Sequence, residues 1–125
     1  MIEAIMLWNE PNNMSHWDRE LDPDWSIFAR MAAEAAAEIR AVDPDVRLVL
    51  GGISPIDTAF LRLLRDHGLL ELLDVIALHG FPFDWNLWHP EEWPEKIREV
   101  GDEFGMPVWV TEAGVSSWAS EANMA

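Results

Sequence analysis

Short apolar runs and helical apolar faces alternate along the chain, and a punctuating residue marks almost every changeover. Ile2–Trp8 is apolar and partly β-branched, and it breaks at Asn9-Glu10-Pro11, which predicts a strand that stops there. Asp22-Pro23 predicts a helix start, with the aspartate as N-cap and the proline in the first turn. Trp25, Phe28, Ala32, Ala35, Ile39 and Val42 then recur at spacings of three and four, the apolar face of one helix, until Pro44 stops it. Val46–Leu50 reads as a second strand closed by Gly51-Gly52. Asp57–His67 reads as a helix with Phe60, Leu61 and Leu64 inward and Gly68 just past its end. Asp74–His79 is continuously apolar after its first residue, which predicts a strand buried on both faces. Trp93, Ile97, Val100 and Phe104 mark a third helix that Gly105 ends, with Glu92 and Lys96 as a surface pair. Pro107–Thr111 is the fourth strand.

Strand ends therefore fall near positions 9, 51, 79 and 112. Eight βα units in about 250 residues average roughly 30 residues each, and these intervals suit that period. The predicted class is α/β, a partial TIM (β/α)8 barrel in which four parallel strands alternate with helices, and residues 1–125 form one domain with no second. A doubly wound open sheet is the alternative. It usually carries a glycine-rich turn after the first strand, where this chain has Asn9-Glu10-Pro11-Asn12-Asn13. Four strands cannot close a barrel by themselves. Two exposed sheet edges and an uncovered interior would favour self-association.

Composition narrows the functions. Half of the 125 residues are hydrophobic, which argues against disorder despite a net charge of −15. That charge leaves no basic patch for nucleic acid, whereas a neutral ligand such as a sugar is not repelled. With no cysteine there is neither a disulfide framework nor a thiolate metal site. No apolar run approaches the roughly 18 residues of a membrane span. The first residues lack a basic region ahead of their apolar run, so a secretory signal is not expected, and a cytoplasmic location follows if Met1 is the true start. His16, His67 and His89 show no ligand spacing, so neither a metal nor another cofactor is expected.

The candidate chemistry lies at the strand ends. Glu10 follows the first strand and Glu112 the fourth, in Val108-Trp109-Val110-Thr111-Glu112-Ala113-Gly114. A carboxyl where a buried strand breaks into a loop is partly desolvated, and desolvation moves its pKa toward neutrality. Two such groups face to face are the minimum for splitting a glycosidic bond. Trp85, Asn86 and Trp88 in the loop after the third strand, and Trp118 after Glu112, are candidates to stack on and bind a sugar. Trp25 and Trp93 sit on helical apolar faces and are expected in the core. Trp109 is expected to point into the barrel or against a helix.

At Asn9-Glu10-Pro11 and Thr111-Glu112-Ala113-Gly114 the chain resembles clan A of the glycoside hydrolases, the (β/α)8 retaining glycosidases. Trp8-Asn9-Glu10-Pro11-Asn12 and His79-Gly80-Phe81-Pro82 look most like its β-xylosidase-type members. In that clan the acid/base glutamate follows an asparagine at the end of the fourth strand, and the nucleophile ends the seventh. The resemblance implies that this chain runs from strand four to the start of helix seven. It implies an O-glycosyl hydrolase acting on a carbohydrate substrate, with Glu10 as acid/base, Glu112 as nucleophile and Asn9 bonded to the sugar 2-hydroxyl. His79 stands where members often carry a histidine that orients the carboxylates. Phe81 stands where many carry a tyrosine, and this chain has no tyrosine. A like charge at Glu112 would raise the pKa of Glu10 and keep the acid protonated. A non-catalytic sugar-binding or structural module is the rival reading.

Overall fold

The computed structural model describes residues 2–81 and 89–114. The elements are β1 (Ala4–Leu7), α1 (Ser26–Val42), β2 (Arg47–Leu50), α2 (Thr58–Asp66), a 3-10 turn (Leu70–Leu72), β3 (Ile76–Gly80), a second 3-10 turn (Pro90–Glu92), α3 (Trp93–Phe104) and β4 (Val108–Ala113). The protein is mixed α/β with short parallel strands. β1 pairs with β2 from Ala4–Arg47 to Leu7–Leu50, and β3 with β4 from Ile76–Val108 to Gly80–Ala113. Two isolated parallel bridges, Val49–Val75 and Ile53–Leu78, join the pairs. The spatial order is thus the order in the chain, but β2 and β3 form a thin seam rather than a full ladder. The reason is local: the chain leaves β2 at Gly51 and returns at Ile53, whose N–H donates to Ala77 O and whose carbonyl accepts from His79 N, each at 3.0 Å. The described residues form no closed barrel.

The two faces of these strands have different partners. Leu7, Leu48, Leu50, Ile76 and Leu78 share one buried cluster with Phe28 and Ala32 of α1, Leu61 and Leu64 of α2 and Val100 of α3. Val49, Val75 and Ala77 form a second, smaller cluster with Ala4 and Trp109 and with no helical residue. Alternation along each strand produces this division, and the helices lie on one face only. Each large side chain buried on the helical face contributes about 1.5–3 kcal/mol. Trp109 packs on the helix-free face, with Arg47 stacked 6.0 Å from its ring centroid.

Several boundaries differ from the sequence pattern, for identifiable reasons. Helix α1 begins at Ser26, because Trp25 adopts a left-handed conformation (φ 62°) and tucks its indole into the core. Asp22 caps it from a distance: its buried carboxylate accepts from the N–H groups of Ile27 (3.0 Å) and Phe28 (2.9 Å) and from Trp17 Nε1 (3.0 Å). Val42, placed by periodicity on the apolar face, is exposed at the last turn. Asp57 is the N-cap of α2 rather than its first residue, accepting from Ala59 and Phe60 N–H. Lys96 donates to Glu99 at 2.9 Å, with Glu92 also near enough to act on its charge. Asp74 precedes β3 and ties it to β2, accepting from Leu48 N–H at 2.7 Å and from Arg40. Strand β4 runs on to Ala113, so Glu112 sits within a strand and not beyond one.

Candidate functional site

Three side chains from three strand ends meet at one end of the sheet. One side-chain oxygen each of Glu10 and Glu112 and a ring nitrogen of His79 all lie within 4.8 Å of one another. His79 and Glu112 are register partners across β3 and β4, because an irregularity between Leu78 and His79 shifts the pairing by one residue and places Glu112, not Thr111, opposite the histidine. Glu10 comes from β1 through a bent link. Trp8 (φ 73°) and Glu10 (φ 43°) both have left-handed backbones, which costs non-glycine residues on the order of 1 kcal/mol or more each and turns the carboxylate inward.

Two glycines permit the approach. A Cβ on Gly51 would stand 2.6 Å from the carbonyl oxygen of Trp8, so only glycine lets the end of β1 lie against the end of β2. A Cβ on Gly52 would stand 1.9 Å from His79 Nε2, so the imidazole lies flush on that backbone. Asn12 then fastens the two loops, accepting from Ser54 N–H at 3.0 Å and donating to Pro55 O at 2.8 Å.

Glu10 is only 8 % exposed and His79 is fully buried. His79 Nδ1 lies 2.8 Å from Glu10 Oε1, while Asn13 Nδ2 donates to Oε2 at 3.0 Å and His16 Nδ1 stands 3.4 Å from that oxygen. Burial pushes the Glu10 carboxyl up, but hydrogen bonds from His79 and Asn13 and the two nearby imidazoles outweigh it and hold the group below the usual carboxylate range. The sequence argument expected the opposite, a pKa raised by Glu112. His79 is the reason: its Nδ1 lies 2.8 Å from Oε1, nearer than the Glu112 carboxylate need be, so the hydrogen bond dominates. Glu112 has a half-exposed side chain, and its Oε1 lies 3.5 Å from His79 Nε2 without the alignment of a hydrogen bond. Two carboxylates and a histidine are a donor set of the kind that can hold a cation. Here Nδ1 already faces Glu10, and the Gly52 backbone closes the space beside Nε2.

Of the other candidates, Asn9 is exposed and lines a depression with Met6, Trp8 and His16 beside Glu10. Trp85, Asn86, Trp88 and Trp118 lie outside the described residues. Trp25 and Trp93 belong to the packing: Trp25 meets Phe28 and Phe60 edge-on, and the Trp93 indole covers Gly80, where a Cβ would lie 1.3 Å from it. Asn13, His16 and Gly52 had no signal of their own. A histidine six residues past a candidate glutamate becomes visible only once the loop is known to curl back.

No family model, curated protein or solved structure matches this chain. Among the described residues no helix is long and apolar enough to cross a membrane.

Proposed function

We propose that this chain carries the catalytic pair of a retaining glycoside hydrolase of β-xylosidase type, on four strands that are half of a (β/α)8 barrel. The observation that carries the reading is the convergence of Glu10 and Glu112 oxygens to within 4.8 Å around His79, close to the roughly 5–5.5 Å separation of carboxyl groups in retaining enzymes. Parallel strands in chain order with helices on one face support the half-barrel. In this reading Glu112 attacks the anomeric carbon and forms an ester, while the bond to the leaving oxygen breaks and that oxygen takes a proton from Glu10. Water then attacks the same carbon, gives its proton to Glu10 and releases Glu112. Asn9 holds the 2-hydroxyl.

The lowered pKa of Glu10 in the free protein sets a condition on this cycle: the acid must be loaded when substrate arrives. With a proton on it, the Glu10 carboxyl is a neutral group. A sugar that displaces water from the site favours that state, because desolvation penalises charges. The test is a panel of aryl glycosides. Glu112→Ala should abolish turnover for every leaving group. Glu10→Ala should lose about 10²–10⁴-fold on poor leaving groups and regain much of it with dinitrophenolate. Azide should give a product of retained configuration with Glu10→Ala and of inverted configuration with Glu112→Ala. Equal behaviour of the two variants, or swapped stereochemistry, would reverse or remove these roles.

The rival, sugar binding without turnover, is favoured by one observation: the Glu112 side chain is half-exposed to water. It predicts ligand-induced shifts at Asn9 and Glu112 in NMR spectra with no hydrolysis of any glycoside.

A further inference from the structure

The three groups around the Glu10 carboxylate differ in their access to water. His79 is fully buried and Asn13 is partly buried and carries no titratable proton, whereas the His16 side chain is 37 % exposed. Its position beside Oε2 is built rather than incidental. The His16 N–H donates to Asn13 O at 2.9 Å, its carbonyl accepts from Trp8 Nε1 at 3.2 Å, and Trp8 is braced edge-on against Trp17 with ring centroids 5.4 Å apart. The left-handed backbone at Trp8 is what brings that indole back over the loop.

We propose that His16 is the residue through which the buried Glu10 carboxyl exchanges its proton with solvent. This deepens the hydrolase reading, on which its catalytic meaning rests, although the exchange itself is a property of the free protein. In the loading step the His16 ring, which stands 3.4 Å from Oε2 without being hydrogen-bonded to it, turns toward that oxygen; the Nδ1–H bond of the protonated ring breaks and an Oε2–H bond forms on Glu10. The ring is left neutral and takes its next proton from water or a buffer acid. Asn13 keeps hold of the same oxygen and prevents the carboxyl from swinging away. His79 cannot perform this exchange directly, since it is closed off by Gly52 and the strands around it. The other charged groups near His16 are Asp18, Arg19 and Glu20, which line the same surface depression. Those facing Glu10 from the other elements are His79 of β3 and, through it, Glu112 of β4. His16 acts through Glu10, so it is a positioning residue and not a catalytic one.

The experiment needs no substrate in its first arm. The Glu10 carboxyl is followed by carbon-13 NMR across an acid titration in the wild type, in His16→Ala and in His16→Gln. Both variants remove a positive neighbour, so the Glu10 midpoint should move up in each, and spectra retaining their dispersion would show that the fold is intact. An unchanged or lowered midpoint in folded His16→Gln overturns the proposal. In the second arm, His16→Ala should turn over poor-leaving-group glycosides more slowly than the wild type and regain rate when imidazole is added, with dinitrophenyl glycosides little affected. A loss that imidazole does not restore, equal across leaving groups, overturns it too. If the midpoint moves as expected but the wild type hydrolyses no glycoside, the hydrolase reading fails while the coupling of His16 to the Glu10 proton stands.

Discussion

Gly52 decides whether His79 can lie where it does, although its own backbone angles are ordinary. Any side chain there meets the imidazole, since even a Cβ would come within 1.9 Å of Nε2. Gly52→Ala must therefore displace either the ring or the loop, and overpacking of this kind costs about 1–3 kcal/mol. The control is Gly68→Ala, where nothing lies within 4 Å but φ is +75°; strain alone should cost about 1–2 kcal/mol there. Urea denaturation measures both losses. The two are told apart by the Glu10 titration, which should move in Gly52→Ala, where its donor is dislodged, and stay put in Gly68→Ala. A Gly52→Ala protein with unchanged stability and unchanged Glu10 behaviour would mean that the imidazole does not rest on this backbone.

At the scale of elements, α1 depends on a residue that is not adjacent to it. Asp22 satisfies two N–H groups of the first turn and the indole of Trp17 while almost fully buried. Asp22→Ala should cost about 1–3 kcal/mol, since lost caps are worth about 0.5–2 kcal/mol and an orphaned buried donor adds to that. Hydrogen exchange should localise the loss to Ile27 and Phe28. By contrast, Arg62→Ala breaks the exposed pair with Glu103, which water screens, and should leave the denaturation midpoint nearly unchanged. The helices were legible in the sequence because each buries one face and so imposes a period, and β3 because burial on both faces makes it continuously apolar. Their termini were less so: the left-handed turn at Trp25 and the extension of β4 through Ala113 arise from tertiary packing that periodicity does not encode. The site divides in the same way. Glu10, His79 and Glu112 were readable because the C-terminal ends of parallel strands lie along one edge of the sheet. Asn13, His16 and Gly52 act through a loop that curls back and a backbone that approaches a ring, and neither leaves a spacing in the chain.

Across the whole molecule, acid should undo this fold through two specific carboxylates as well as through general charge. The Leu48 N–H holds the Asp74 carboxyl below its ordinary value against partial burial, helped by Arg40, and Glu10 is likewise held low by its donors. A group whose pKa is lower folded than unfolded contributes stability that is fully present above the unfolded value, and it is lost as pH falls through the folded one. Stability should thus decline from the ordinary carboxylate range downward. In Asp74→Asn and Glu10→Gln the decline should be shallower, from a lower starting level at neutral pH, as read by denaturant midpoints across pH; parallel curves for variant and wild type would refute the assignment. The site has one more property, which concerns time. Glu10 and Glu112 stand roughly 100 positions apart, and a ribosome adds about 5–20 residues each second. For something like 5–20 s of every synthesis, Glu10 has already emerged while the strand that completes its surroundings has not yet been made. The acid comes first and its partner last, so every newborn copy passes through an interval in which the chemistry proposed here is impossible. Capacity to bind at this site would therefore date the moment at which β4 joins β3.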